Sequence, residues 1–107
     1  APSANATPGH PILDINGQRY LLTGPVTVIG RGSEADIIVD DSGVSRRHLE
    51  VRLTQGHAIA TDLGSTNGTF VEGHRVDAAT LLDGNTLTIG RTRIMFWDGS
   101  QGTEAGM

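Results

Sequence analysis

The stretch Leu49–Leu63, LEVRLTQGHAIATDL, decides the fold class. Leu49, Val51 and Leu53 alternate with Glu50, Arg52 and Thr54, the period of a strand with one dry and one wet face. Gln55-Gly56 offers a reversal, and Ala58–Leu63 supplies a returning strand. The same pattern extends both ways along the chain. Upstream, Ile12, Leu13 and Ile15 precede Asn16-Gly17, the strongest short hairpin signal, and Arg19–Leu22 follow it. Val26, Val28 and Ile29 form a third strand that ends at Gly30-Arg31-Gly32, and Ile37–Val39 form a short fourth. Downstream, Phe70-Val71, Arg75-Val76, Leu81-Leu82, Leu87 with Ile89, and Ile94 with Phe96 are separated by Glu72-Gly73, Asp83-Gly84 and Gly90. Strands at intervals of about eight to twelve residues, with turn signals between them, indicate an antiparallel sandwich or barrel. The nearest helical candidate is His74–Asp83, which is short and carries β-branched Val76 and Thr80, so no helix of consequence is expected.

Composition agrees and narrows the function classes. A chain of 107 residues has room for one core, not two. Aromatics are 4% of it, so that core is built from Leu, Ile and Val, and fifteen glycines imply many tight turns. No cysteine is present, which removes disulfides, thiolate zinc sites and a cysteine nucleophile together. The four histidines, His10, His48, His57 and His74, lack ligand spacing, so neither a metal nor any other cofactor is called for; His57 and His74 read as solvent-facing turn residues. The net charge of −4 has the wrong sign for neutralising a nucleic-acid backbone. No apolar run approaches the roughly 20 residues that span a bilayer, so the expectation is a soluble, cytoplasmic protein with no membrane partner.

Four short strings fall in the loops between these strands: Gly30-Arg31, Ser45-Arg46-Arg47-His48, Ser65-Thr66-Asn67-Gly68 and Asp83-Gly84. Each alone has a plain reading. Arg31 could be a solvated arginine after a strand, and Asn67-Gly68 a hairpin turn joining Ala58–Leu63 to Phe70-Val71. In this order and at these separations, however, they resemble the forkhead-associated (FHA) domain family, over Ile12–Trp97. The resemblance implies an all-β fold, an antiparallel β-sandwich of about eleven short strands with its ligand site on loops at one end. Residues 11–98 would form the domain, between a flexible lead, 1–10, and a flexible tail, 99–107.

The implied function is binding of phosphothreonine in a partner protein or kinase segment, by an adaptor in Ser/Thr kinase signalling similar to FHA modules of actinobacteria. The module would be monomeric and would catalyse nothing. The alternative within the family is an FHA-like domain for phosphate-independent protein assembly.

A phosphomonoester carries about −1.5 to −2 charges and three strong acceptor oxygens, so its site needs a fixed cation and converging donors. Arg31 offers a planar fork, Ser45 and Thr66 hydroxyls, and Arg46 a backbone N–H and a charge. By resemblance Asn67 grips the peptide main chain, His48 is buried and braces the Ser45 loop, and Gly30 and Gly68 shape the loops. Three or four charge-assisted bonds at about 1.5–3 kcal/mol each, less the cost of ordering a peptide, leave about 8 kcal/mol, near-micromolar affinity. Some relatives place a basic residue two positions before the loop serine to read an acid in the peptide; this chain has Gly43 there. Ser45 and His48 suggest a hydrolase only superficially, because the spacing lacks a nucleophile elbow and no carboxylate is assignable to the imidazole.

Overall fold

The computed structural model describes residues 10–99. Nearly all of the expected lead and tail lies outside the described residues, which retain only His10 of the one and Gly99 of the other.

Eleven strands follow one another without a helix among the described residues: β1 (Ile12–Ile15), β2 (Gln18–Leu21), β3 (Val26–Gly30), β4 (Ile37–Ile38), β5 (Leu49–Thr54), β6 (His57–Asp62), β7 (Thr69–Val71), β8 (His74–Val76), β9 (Ala78–Leu81), β10 (Thr86–Ile89) and β11 (Thr92–Trp97). They form two sheets, ordered β2-β1-β11-β10-β7-β8 and β4-β3-β5-β6-β9. The segment His74–Asp83 holds two strands, β8 and β9, one in each sheet, as its β-branched residues favour. His57 and His74 are exposed as expected, but each opens a strand rather than standing in a turn.

Alternation sorts the side chains. Leu49 and Val51 of β5, Leu87 and Ile89 of β10, Ile94 and Phe96 of β11, and Leu13 and Ile15 of β1 point inward and are at most 3% exposed. Three hairpins, β1-β2, β5-β6 and β7-β8, turn on two residues each, Asn16-Gly17, Gln55-Gly56 and Glu72-Gly73, with φ of 53 and 81°, 50 and 82°, and 50 and 82°. Two successive positive φ values make the turn whose twist matches that of the strands, and the second place falls to glycine in all three.

Two features depart from the sequence reading. The β3-β4 pair is parallel, Ile29 opposite Ile37 and Gly30 opposite Ile38, because residues 31–36 loop back rather than reverse. And β6 and β7 lie in different sheets, so Asn67-Gly68 is part of a crossing between layers and not a hairpin turn. The segments after β3, after β4 and after β6, and the turn between β10 and β11, all emerge at one end of the sandwich, where the site assembles.

Candidate functional site

Gly30 ends β3 fully enclosed, its α-carbon so close to the next loop that an added methyl would drive into the Arg46 carbonyl. This close approach aligns two backbones: Arg31 N–H donates to the Ser45 carbonyl at 2.9 Å and Gly32 N–H to that of Arg46 at 3.0 Å. The Arg31 side chain is exposed and is held by one bond, Nε to the Val44 carbonyl at 3.1 Å. Both terminal nitrogens of its guanidinium are left without a partner among the described residues.

His48 joins the two halves of the site. Its ring is wholly buried; Nδ1 accepts from the Ser45 N–H at 3.0 Å and Nε2 stands 2.8 Å from the Gly68 carbonyl, to which it donates. Accepting on one nitrogen and donating on the other describes a neutral imidazole with its proton on Nε2. Ser45 Oγ accepts from the Thr66 N–H at 3.1 Å, which leaves the hydroxyl proton to donate outward. The serine hydroxyl is not bonded to the imidazole, both ring nitrogens are engaged with main chain, and Asp62 Oδ1 stands 3.9 Å from Nε2. Thr66 and Asn67 are exposed, and Asn67 Nδ2 donates to the Gly43 carbonyl at 2.9 Å, so the β4-β5 and β6-β7 loops close on each other. Arg46 is exposed beside Glu34 at 3.8 Å, and its backbone N–H meets no acceptor among the described residues.

Two carboxylates that the sequence did not single out organise these loops. Asp62, at the end of β6, accepts from the Ser65 hydroxyl at 2.6 Å, the Thr69 hydroxyl at 2.7 Å, and the N–H groups of Gly64 and Ser65 at 3.1 and 3.0 Å. Burial raises its pKa, but the Ser65 and Thr69 hydroxyls and the Ser65 N–H outweigh that and hold it below the ordinary value. Asp41 accepts from Gly43 N–H, Arg91 N–H and the Thr92 hydroxyl at 2.8, 2.8 and 2.7 Å, tying the β4-β5 loop to the β10-β11 turn. Its pKa is lowered first by the Thr92 hydroxyl, then by the two N–H groups. The available signal was an aspartate followed within three residues by Gly or Ser, the pattern of a side chain capping its own turn.

Arg31, Ser45, Arg46, Thr66 and Asn67 thus share one loop-borne surface, braced by His48, Gly30 and Gly68. A hollow of about 370 Å³ lies between the β5-β6 and β9-β10 turns, at the other end of the sandwich, and no arginine lines it. Among the described residues no cluster of His, Asp and Glu suits a metal, and no helix is long and apolar enough to cross a membrane.

A model of the FHA domain matches residues 27–90, the span that holds every one of these side chains. The chain belongs to the FHA domain family. The glycogen accumulation regulator GarA of Mycolicibacterium smegmatis is 43% identical over 90 residues, 84% of this chain and 57% of GarA. An FHA domain solved for the study of phosphothreonine-dependent FHA domain interactions superposes with a TM-score of 0.79 at 37% identity, covering 82% of this chain and 95% of that one. EmbR of Mycobacterium tuberculosis, solved with a low-affinity phosphopeptide, superposes with a TM-score of 0.83 at 31% identity, covering 92% of this chain and 27% of EmbR. The chain spans little more than half the length of GarA. The FHA fold accounts for the parallel β3-β4 pair and the sheet-to-sheet crossing at once, since together they bring Arg31, Ser45 and Asn67 to one end.

Proposed function

We propose that this FHA domain binds a phosphothreonine of a partner protein in Ser/Thr kinase signalling, with Arg31, Ser45, Arg46, Thr66 and Asn67 as its contacts, and that it acts as an adaptor without catalysis. The observation that carries the reading is the half-engaged Arg31: one bond from Nε sets the plane of the guanidinium, and the two terminal nitrogens stay open next to a serine hydroxyl whose proton is also free. A preset fork and a converging hydroxyl are what a dianionic phosphate with three acceptor oxygens requires. EmbR's phosphopeptide and the phosphothreonine-dependent interactions of the other solved domain support the same ligand class. Residues 11–98 are the proposed extent of the domain, with Arg46 lending its N–H and Asn67 its free amide atoms to the peptide main chain.

Calorimetric titration tests this with a threonine peptide, its phosphothreonine twin and the phosphoserine version. The phosphothreonine peptide binds with Kd near micromolar, and losing the phosphate removes about 3 kcal/mol or more. Equal binding of the first two would end the reading; equal binding of phosphoserine would end only the preference for threonine.

A further inference from the structure

Leu82 is one of three large apolar side chains left exposed among the described residues, at 66%. It does not stand on a loose loop. Its N–H donates to Asn85 Oδ1 at 2.8 Å, its carbonyl accepts from the Asn85 N–H at 3.0 Å, and the Gly84 N–H donates to the Phe96 carbonyl at 2.7 Å, so the β9-β10 turn is pinned to β11. Beside Leu82 opens the hollow of about 370 Å³, at the end of the sandwich away from Arg31. Its floor is the core itself, since Ala58, Leu81 and Phe96 line it and are at most 5% exposed. An apolar floor ringed by a few polar groups, at this volume, is the make-up of a binding pocket.

The rim of the hollow is acidic. Asp83 and Asp98 both line it and are both exposed, and they are held side by side because the Asp98 N–H donates to Asp83 Oδ1 at 2.9 Å, across 15 residues of sequence. Two like charges on one rim repel, and none of the eight arginines of the chain lines it. A cation arriving there offsets that repulsion. The segments 1–9 and 100–107 cannot bring one: they contain no Lys, Arg or His, and Glu104 is their single charged side chain. They also lack Leu, Ile, Val and every aromatic residue, so they carry little to fill an apolar hollow. The complement of this end, a bulky apolar side chain next to a positive charge, therefore belongs to another protein.

We infer that the far end of the sandwich docks a short basic segment of a partner protein, with a Leu, Phe or Trp side chain entering the hollow over Phe96 and a neighbouring Lys or Arg meeting Asp83 and Asp98. Leu82 extends the apolar contact along the lip, and the buried anchor with a charged rim is the usual arrangement of a small interface. This surface stands whether or not the loops bind phosphothreonine. Because the two ends do not overlap, one domain can hold both segments at once.

Selection of a displayed library of random, unphosphorylated short peptides on the whole chain, followed by nuclear magnetic resonance titration of a selected peptide, decides it. Selected peptides should share a Leu, Phe or Trp beside a Lys or Arg, and the titration should move the amides of Gln55, Ala58 and Leu82 while those of Arg31 and Ser45 stay in place. Replacing the apolar anchor of the peptide by Ala should weaken binding about tenfold or more. Replacing its cation by Gln should weaken binding about threefold to fivefold, an effect that fades at high salt. Asp83→Asn/Asp98→Asn, which keeps an acceptor for the Asp98 N–H, should reproduce the second loss, and Leu82→Ser part of the first; all three side chains are exposed, and the peptide twins carry the test if a variant fails to fold. The inference is overturned if selection enriches no peptide or peptides without a cation, if the shifts centre on the loop end, or if the Ala and Gln twins bind as their parent does. Nuclear Overhauser contacts between Leu82 and residues 1–9 or 100–107 in the free chain would overturn it as well, by making the occupant the chain's own end.

Discussion

His48 is wholly buried, yet two of the loops proposed to hold the phosphopeptide depend on it. Its two ring bonds satisfy the Ser45 N–H and the Gly68 carbonyl, and its own N–H and carbonyl bind Ile29 and Leu63. His48→Ala removes both ring bonds and opens a cavity, so urea unfolding should show a loss of about 3 kcal/mol or more, and phosphopeptide affinity should fall although no contact is deleted. At this scale the sequence was partly legible. Arg31 and Ser45 could be read only in company, as parts of the ordered strings Gly30-Arg31 and Ser45-Arg46-Arg47-His48 that resemble the FHA family. Asp41 and Asp62 left only the mark of a side chain capping its own turn, which does not report the further donors they gather, Thr69 at Asp62, and Arg91 and Thr92, 50 and 51 residues away, at Asp41.

At the scale of elements, the site is a consequence of how chain segments cross. Turn chemistry located all four two-residue hairpins from sequence, since each carries a glycine at positive φ, second in the turn at Gly17, Gly56 and Gly73 and first at Gly90 between β10 and β11. The β6-β7 crossing was the harder case, because Asn67-Gly68 carries a hairpin signal while its flanking strands belong to different sheets. Local turn preference cannot report which sheet a strand joins, which is decided by pairing partners far away in sequence, Ile89 with Thr69 and Asp62 with Leu49. The parallel β4 was hidden likewise. Gly30 is where this arrangement is most exposed to a single change. In Gly30→Ala the new methyl meets backbone rather than a movable side chain, so the loop carrying Ser45 and Arg46 must shift away from Arg31. Phosphopeptide binding should drop at least tenfold, with a lower thermal midpoint; unchanged affinity would show that the β3 and β4-β5 backbones need not lie this close.

For the whole molecule, the distribution of charge matters more than its total. A net charge of −4 coexists with an exposed Arg31 whose two terminal nitrogens are open at the loop end among the described residues, which suits the proposed single phosphate and not a polyanion. Acid should act on stability through the two aspartates. Both have folded-state pKa values below the ordinary 3.8, so their stabilising contribution is complete at neutral pH and is lost as pH falls through those lowered values. Thermal midpoints should hold level from about pH 7 to about pH 5 and decline below about pH 4, and the gap between wild type and Asp62→Ala should narrow along that decline. A gap that stays constant to pH 2 would mean that the Asp62 hydrogen bonds do not favour the ionised form.

The central claim is that one loop surface reads one phosphate, and nuclear magnetic resonance of the backbone amides tests it most directly. A phosphothreonine peptide should move the amides of Arg31, Ser45, Arg46, Thr66 and Asn67 in a saturable way, leave the β5-β6 turn at the far end unmoved, and do neither in Arg31→Ala. Shifts centred on a sheet face, or shifts at the loops that persist undiminished in Arg31→Ala, would contradict it.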